Sequence, residues 1–149
     1  MSYADGEASI LDLLHQVTGF RTANTSQGDW GVLNSGKDRV YAILKPGDFD
    51  RSRPAPAAVE ARWSTTIQVW VHYKDDGESL AVLETSVQAI LDTFDRYPHL
   101  GNVNVIQSGF AKSGSDVQEM WKRGGAQPVW LRQDITVPWS EYTVITRAE

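Results

Sequence analysis

The chain contains no cysteine among its 149 residues, which excludes disulfides, thiolate nucleophiles and cysteine metal sites and fits a reducing compartment. Long apolar runs are lacking too. No window approaches the length needed to span a bilayer, and the start MSYADGEAS has neither the basic residues nor the apolar stretch of a signal peptide. These absences predict a protein that is cytosolic at synthesis, with no membrane partner. Positive charge is in deficit: 14 Lys and Arg stand against 19 Asp and Glu, a formal net charge of -5. That balance argues against a protein held on duplex by phosphate contacts, so no sequence-specific nucleic-acid binding is expected.

Chemistry-bearing motifs are equally sparse. His15, His72 and His99 fall on a predicted helix, a strand and a turn without HExxH spacing, so a zinc site would need distant elements to converge. The serines sit in no GxSxG elbow. Asp75-Asp76 stands between a predicted strand and a predicted helix, where capping and the helix dipole account for it. Lys122-Arg123-Gly124-Gly125 lacks P-loop spacing and reads as a solvated loop tip. No catalytic residue, cofactor or metal is expected.

What the chain does have is pattern. WSTTIQVWVHY, residues 63–73, alternates strictly: Trp63, Thr65, Ile67, Val69, Val71 and Tyr73 fall on one face of a strand, Ser64, Thr66, Gln68, Trp70 and His72 on the other. Residues 78–97 carry Leu80, Leu83, Val87, Ile90, Leu91 and Phe94 at three- and four-residue steps, predicting an amphipathic helix roughly 27 Å long. A first helix is predicted over 9–19, stopped by Gly19. Residues 30–33 and 39–44 read as a hairpin turned at Asn34-Ser35-Gly36. Strands are expected at 103–111 and 128–137, the latter fading at Pro138.

Residues 46–62, with three prolines, mixed charge and no period, predict a long flexible loop on which Phe49, Arg51, Arg53 and the Pro54-Ala55-Pro56 run are open to a partner. Residues 112–127 predict a second loop, with Lys122 and Arg123 near its tip. The expected fold is a single α+β domain over 1–149, with a mixed or antiparallel sheet of about five strands and two helices packed on one face. The other face would show Trp70 and His72 beside Trp130 and Arg132, an aromatic and polar mixture of the kind that marks interaction surfaces.

This order of elements resembles the tail terminator proteins of long-tailed bacteriophages, also called head-tail joining or minor tail proteins. The likeness is carried by the short first helix, the hairpin from Trp30 to Leu44, the loop to Arg62, the strand entering a long helix through DDGES at residues 63–80, and the terminal strand pair closing with QPVWLRQDITVPW. The resemblance implies a non-enzymatic virion protein: a homo-oligomeric ring, a hexamer in such proteins, that caps the tail tube and ends its polymerisation. Its implied partners are other copies of itself, the tail tube protein and a head connector or neck protein, with DNA passing through the lumen. It implies assembly in the host cytoplasm and a place at the head-tail junction. A ring needs two complementary patches on each subunit; Trp70, His72, Trp130 and Arg132 on the sheet face, and Phe49, Arg51, Arg53, Lys122 and Arg123 on the loops, are the candidates. Another connector or neck protein of the same particle shares this logic. A small α+β enzyme using Trp70, His72, Arg132 and Asp134 is the competing class, although alternation places those four on a face and not around a cavity.

Overall fold

In the computed structural model, which describes residues 3–35, 38–100, 105–107, 109–114, 116–121, 123–125 and 127–144, the alternating stretch becomes the central strand of a mixed sheet. The helices are α1 (Tyr3–Leu14) and α2 (Asp76–Arg96). The strands are β1 (Thr25–Gln27), β2 (Val40–Ala55), β3 (Ala58–His72), β4 (Val105–Gln107), β5 (Lys112–Ser113), β6 (Gln118–Trp121) and β7 (Pro128–Val144). Their order is β1-β2-β3-β7-β4, with β5 and β6 also paired to β7. Among the described residues only β1 and β2 run parallel; the other pairs are antiparallel. The fold is a single α+β domain, and both helices cover one sheet face.

That face holds the main core. Ile10, Leu13 and Leu14 of α1 and Leu83, Val87, Ile90 and Phe94 of α2 pack on Ala42, Leu44, Ile67, Val69, Val71, Leu131, Ile135, Val137 and Trp139. α2 starts where Asp75, in extended backbone, accepts a hydrogen bond from the Glu78 amide at 2.6 Å, an N-cap that satisfies one of the helix's orphan donors. Its far end is closed from the sheet: Gln107 Nε2 donates to the carbonyls of Phe94 (2.6 Å) and Tyr97 (3.0 Å). Among the described residues, no helix is long and apolar enough to cross a membrane.

Several boundaries differ from the sequence reading. α1 begins at Tyr3, not Ser9, and contains Gly6, where a Cβ would lie 1.9 Å from the Trp139 ring; helix and sheet approach too closely there for any side chain. After Leu14 the chain turns, and Val17 and Phe20 complete the apolar stripe outside the helix. Residues 30–35 form a 3-10 helix and not the first arm of a hairpin; β2 takes a parallel neighbour at Thr25–Gln27 instead. Among the described residues of 103–111, namely 105–107 and 109–111, strand covers Val105–Gln107. β7 continues through Pro138 to Val144. It can do so because Pro138 lies between the segments covered by β5, which ends at Ile135 and Thr136, and β4, which begins at Trp139, so no ladder donor is needed on that side.

The largest departure is residues 46–62. They are not a loop: β2 and β3 pair from Val40↔Val71 out to Ala55↔Ala58, leaving Pro56 and Ala57 as the turn. β7 follows β3 along the same length, to Val144↔Ala58. The result is a three-stranded arm extending past the helices. Proline and charge disguise it because every residue from Pro46 to Ala57 is exposed, so no alternating apolar pattern is required there. Residues 112–127 are likewise partly strand, supplying β5 and β6.

Candidate functional site

On the sheet face away from the helices, the 3-10 helix at 30–35 folds back over β2 and β3. Tyr41, Ile43 and Trp70 form a second buried cluster, with Val32, Leu33, Met120 and Trp130 packed against it. Trp70 is therefore 8% exposed and not an open anchor, which corrects the expectation that it is displayed on this face as part of an interaction surface. Trp130 is partly buried and sits at the hub of edge-on contacts, with ring centroids 5.6 Å from Tyr41, 6.3 Å from Trp70 and 5.0 Å from His72. His72 is exposed. Such T-shaped geometry suits aromatic quadrupoles.

Polar groups hold the cover in place. Trp30 Nε1 donates to Gln68 Oε1 at 3.1 Å, and Lys45 Nζ lies 3.2 Å from the Trp30 ring centroid while donating to the Gly28 carbonyl at 3.3 Å, a cation–π contact on an exposed indole. Arg132 stands opposite Trp70 in the register, with its guanidinium carbon 5.4 Å from the ring. It pairs with Asp134: Nη2 donates to Oδ2 at 3.1 Å, while Nε lies 3.0 Å from Oδ1 without the alignment of a hydrogen bond. Arg132 and Asp134 thus form an ion pair with each other through one hydrogen bond, with Arg132 Nε and Asp134 Oδ1 left unbonded among the described residues. Trp70 Nε1 is buried without an acceptor among the described residues, which costs stability.

The second group of candidates lies on the arm. A bulge between Pro46 and Phe49 sets Gly47 and Asp48 of β2 against Ser64 of β3, and it reverses the alternation from Phe49 to Ser52, where a second register shift follows. Before the bulge Ala42 and Leu44 face the helices; after it Phe49 and Arg51 do, because their register partners Trp63 and Ala61 lie on that face. Gly47 permits the bulge: a Cβ there would lie 2.3 Å from Ser64 Oγ and 2.9 Å from the Ser64 carbonyl oxygen, and Ser64 Oγ accepts the Asp48 amide at 2.8 Å. Phe49 stacks on Trp63 with centroids 5.3 Å apart, and Trp63 on Trp139 at 4.6 Å.

Toward the tip, Arg51, Ser52, Arg53 and Val59 line a shallow groove, and Arg53 Nη1 donates to the Pro56 carbonyl at 2.8 Å. Arg62 is bonded to Glu60, whose hydrogen bond and then charge raise the guanidinium pKa above its ordinary value. The group stays a cation at any physiological pH. Arg123 is exposed in a turn after β6; Lys122 lies outside the described residues.

The candidates therefore divide into two regions. Ala61, the register partner of Arg51, is nine residues from Trp70 along β3, or about 30 Å at roughly 3.3 Å per residue. Sequence reasoning missed the 30–35 cover, because two half-buried apolar side chains, Val32 and Leu33, on a short 3-10 helix leave no period. It missed the bulge too, although Pro46-Gly47 in an otherwise continuous strand was a usable signal. Among the described residues, no three His, Asp or Glu side chains converge as metal ligands.

No protein-family model and no curated protein matches the sequence. Among solved structures, the whole chain aligns with one protein at 13% identity, covering 99% of that chain, with a TM-score of 0.51. This likeness is one of fold. A second structure, the sheath/tube terminator of an extracellular contractile injection system in its extended state, aligns with the whole chain at 14% identity and a TM-score of 0.48. The chain spans 61% of the length of that terminator, and a likeness at that score carries no argument about role.

Proposed function

We propose that this chain is a structural subunit of a phage tail or tail-like particle, forming a homo-oligomeric ring on the end of the tail tube that stops polymerisation and offers a surface to the head connector. The observation that supports this reading most is the arm. Three paired strands form the arm, and its β2 side and turn, Pro46–Ala57, are wholly exposed, so one long edge of an ordered element is left open. A head-to-tail ring needs two different patches that meet on rotation, and the arm and the body about 30 Å away provide separated surfaces. The order of elements, in which the chain resembles tail terminators, points the same way. The hexameric number, the tube and connector as partners and passage of DNA through the lumen follow from that resemblance.

Electron microscopy of the purified protein, with and without tail tubes of the same particle, tests the reading. Rings seated on tube ends, with tube lengths no longer growing, are the expected result. Tubes that keep elongating with the protein unbound would overturn it.

A further inference from the structure

One row of the sheet crosses four strands: Phe49 on β2, Trp63 on β3, Trp139 on β7 and Gln107 on β4 are successive register partners. The two ends of this row are complementary. At the β2 end, Phe49 is 55% exposed and backed by the Trp63 ring. At the β4 end, a groove of about 210 Å³ is lined by Phe94, Asp95, Pro98, Gln107, Gly109 and Phe110, with Phe110 74% exposed. Charge is complementary as well. Arg51 shares the face of Phe49, whereas Asp50 alternates to the opposite face; the groove carries the exposed carboxylate of Asp95.

We infer that Phe49 of one copy seats in the Phe94, Pro98 and Phe110 groove of the next copy, with Arg51 meeting Asp95. A chain cannot make this contact with itself, because the two ends of the row are three strand spacings apart, about 14 Å. Both ends are also sheet edges: β1 covers β2 only over Ala42–Leu44, and β4 closes the strand order among the described residues. Pro46, Pro54 and two register shifts on the arm oppose continuous backbone pairing across the junction, so side chains must carry the contact. Knob and hole lie at opposite ends of one row, so each copy offers what the next requires, and the contact is heterologous and repeats until it closes. The inference rests on the ring-forming reading and supplies one of its interfaces.

The absence of native cysteine permits a direct test. A chain carrying both Phe49→Cys and Phe110→Cys should oxidise to a ladder of disulfide-linked multimers. An equal mixture of the two single variants should yield a linked heterodimer and nothing longer. In sedimentation velocity, Phe49→Ala should weaken self-association about tenfold or more. Arg51→Asp and Asp95→Arg should each weaken it about twofold to fivefold, and together restore it. Self-association unchanged in Phe49→Ala, with no ladder, would overturn this contact while leaving ring formation to other surfaces. A wild-type chain that stays monomeric, gives no ladder and leaves tubes uncapped would overturn both.

Discussion

The indole Nε1 of Trp139 donates to the Thr65 hydroxyl at 3.0 Å, with both side chains fully buried. This bond ties β7 to β3 beside Trp63, and the far edge of the same indole closes against Gly6 of α1. One side chain thus fixes how near the first helix lies to the sheet, at the point where the arm leaves the body.

Gly6→Ala should therefore destabilise the protein, although alanine in a helix interior is normally favoured over glycine by up to about 1 kcal/mol. A methyl group 1.9 Å from a fully buried indole forces helix and sheet apart, and overpacking of this kind costs about 1–3 kcal/mol. Urea unfolding checks the sign. A rise in the midpoint would show that α1 can shift freely.

Trp70→Ala should cost about 3–5 kcal/mol, the range for truncating a large buried aromatic, because its ring is 8% exposed in the cluster against which Val32, Leu33 and Met120 pack. Trp70→Phe should cost far less, since it also removes the indole N–H left without an acceptor. Thermal melts of both variants give the comparison. Equal, small shifts would mean that the cover over this face is not formed in solution.

Asp75→Ala should lower stability by about 0.5–2 kcal/mol through loss of the α2 cap, and Asp75→Asn should recover most of it, because the amide oxygen can still accept from Glu78. If both variants lose the same amount in chemical denaturation, the residue acts through charge and not through the cap.

Gly47→Val should leave the helical signal in circular dichroism close to wild type while impairing assembly on tail tubes. The bulge cannot admit a side chain against Ser64, and without it Phe49 and Arg51 would exchange faces with Asp48 and Asp50. Unimpaired assembly would show that the facing of the arm is irrelevant to the interface.

How much of this was legible in the sequence depended on whether a residue's position follows from local period. The alternation of residues 63–73, the α2 stripe from Leu83 to Phe94, the Asp75 cap and the apolar positions of β7 encode their own geometry, and with them the α+β class and the helix-covered face. Alternation also placed Trp70 and His72 on one face with Trp130 and Arg132, but which pairs with which was not legible, because register between strands some sixty residues apart is set by which faces must be buried together. The burial of Trp70 depended on residues 30–35 folding back across the sheet. The strand character of 46–55 came wholly from pairing with β3, since its own prolines, charges and glycine predict a loop. Composition and period by themselves determined the body of the domain; tertiary pairing decided that its least strand-like segment is an ordered arm, because backbone hydrogen bonds to a neighbouring strand need no apolar pattern in the segment that makes them.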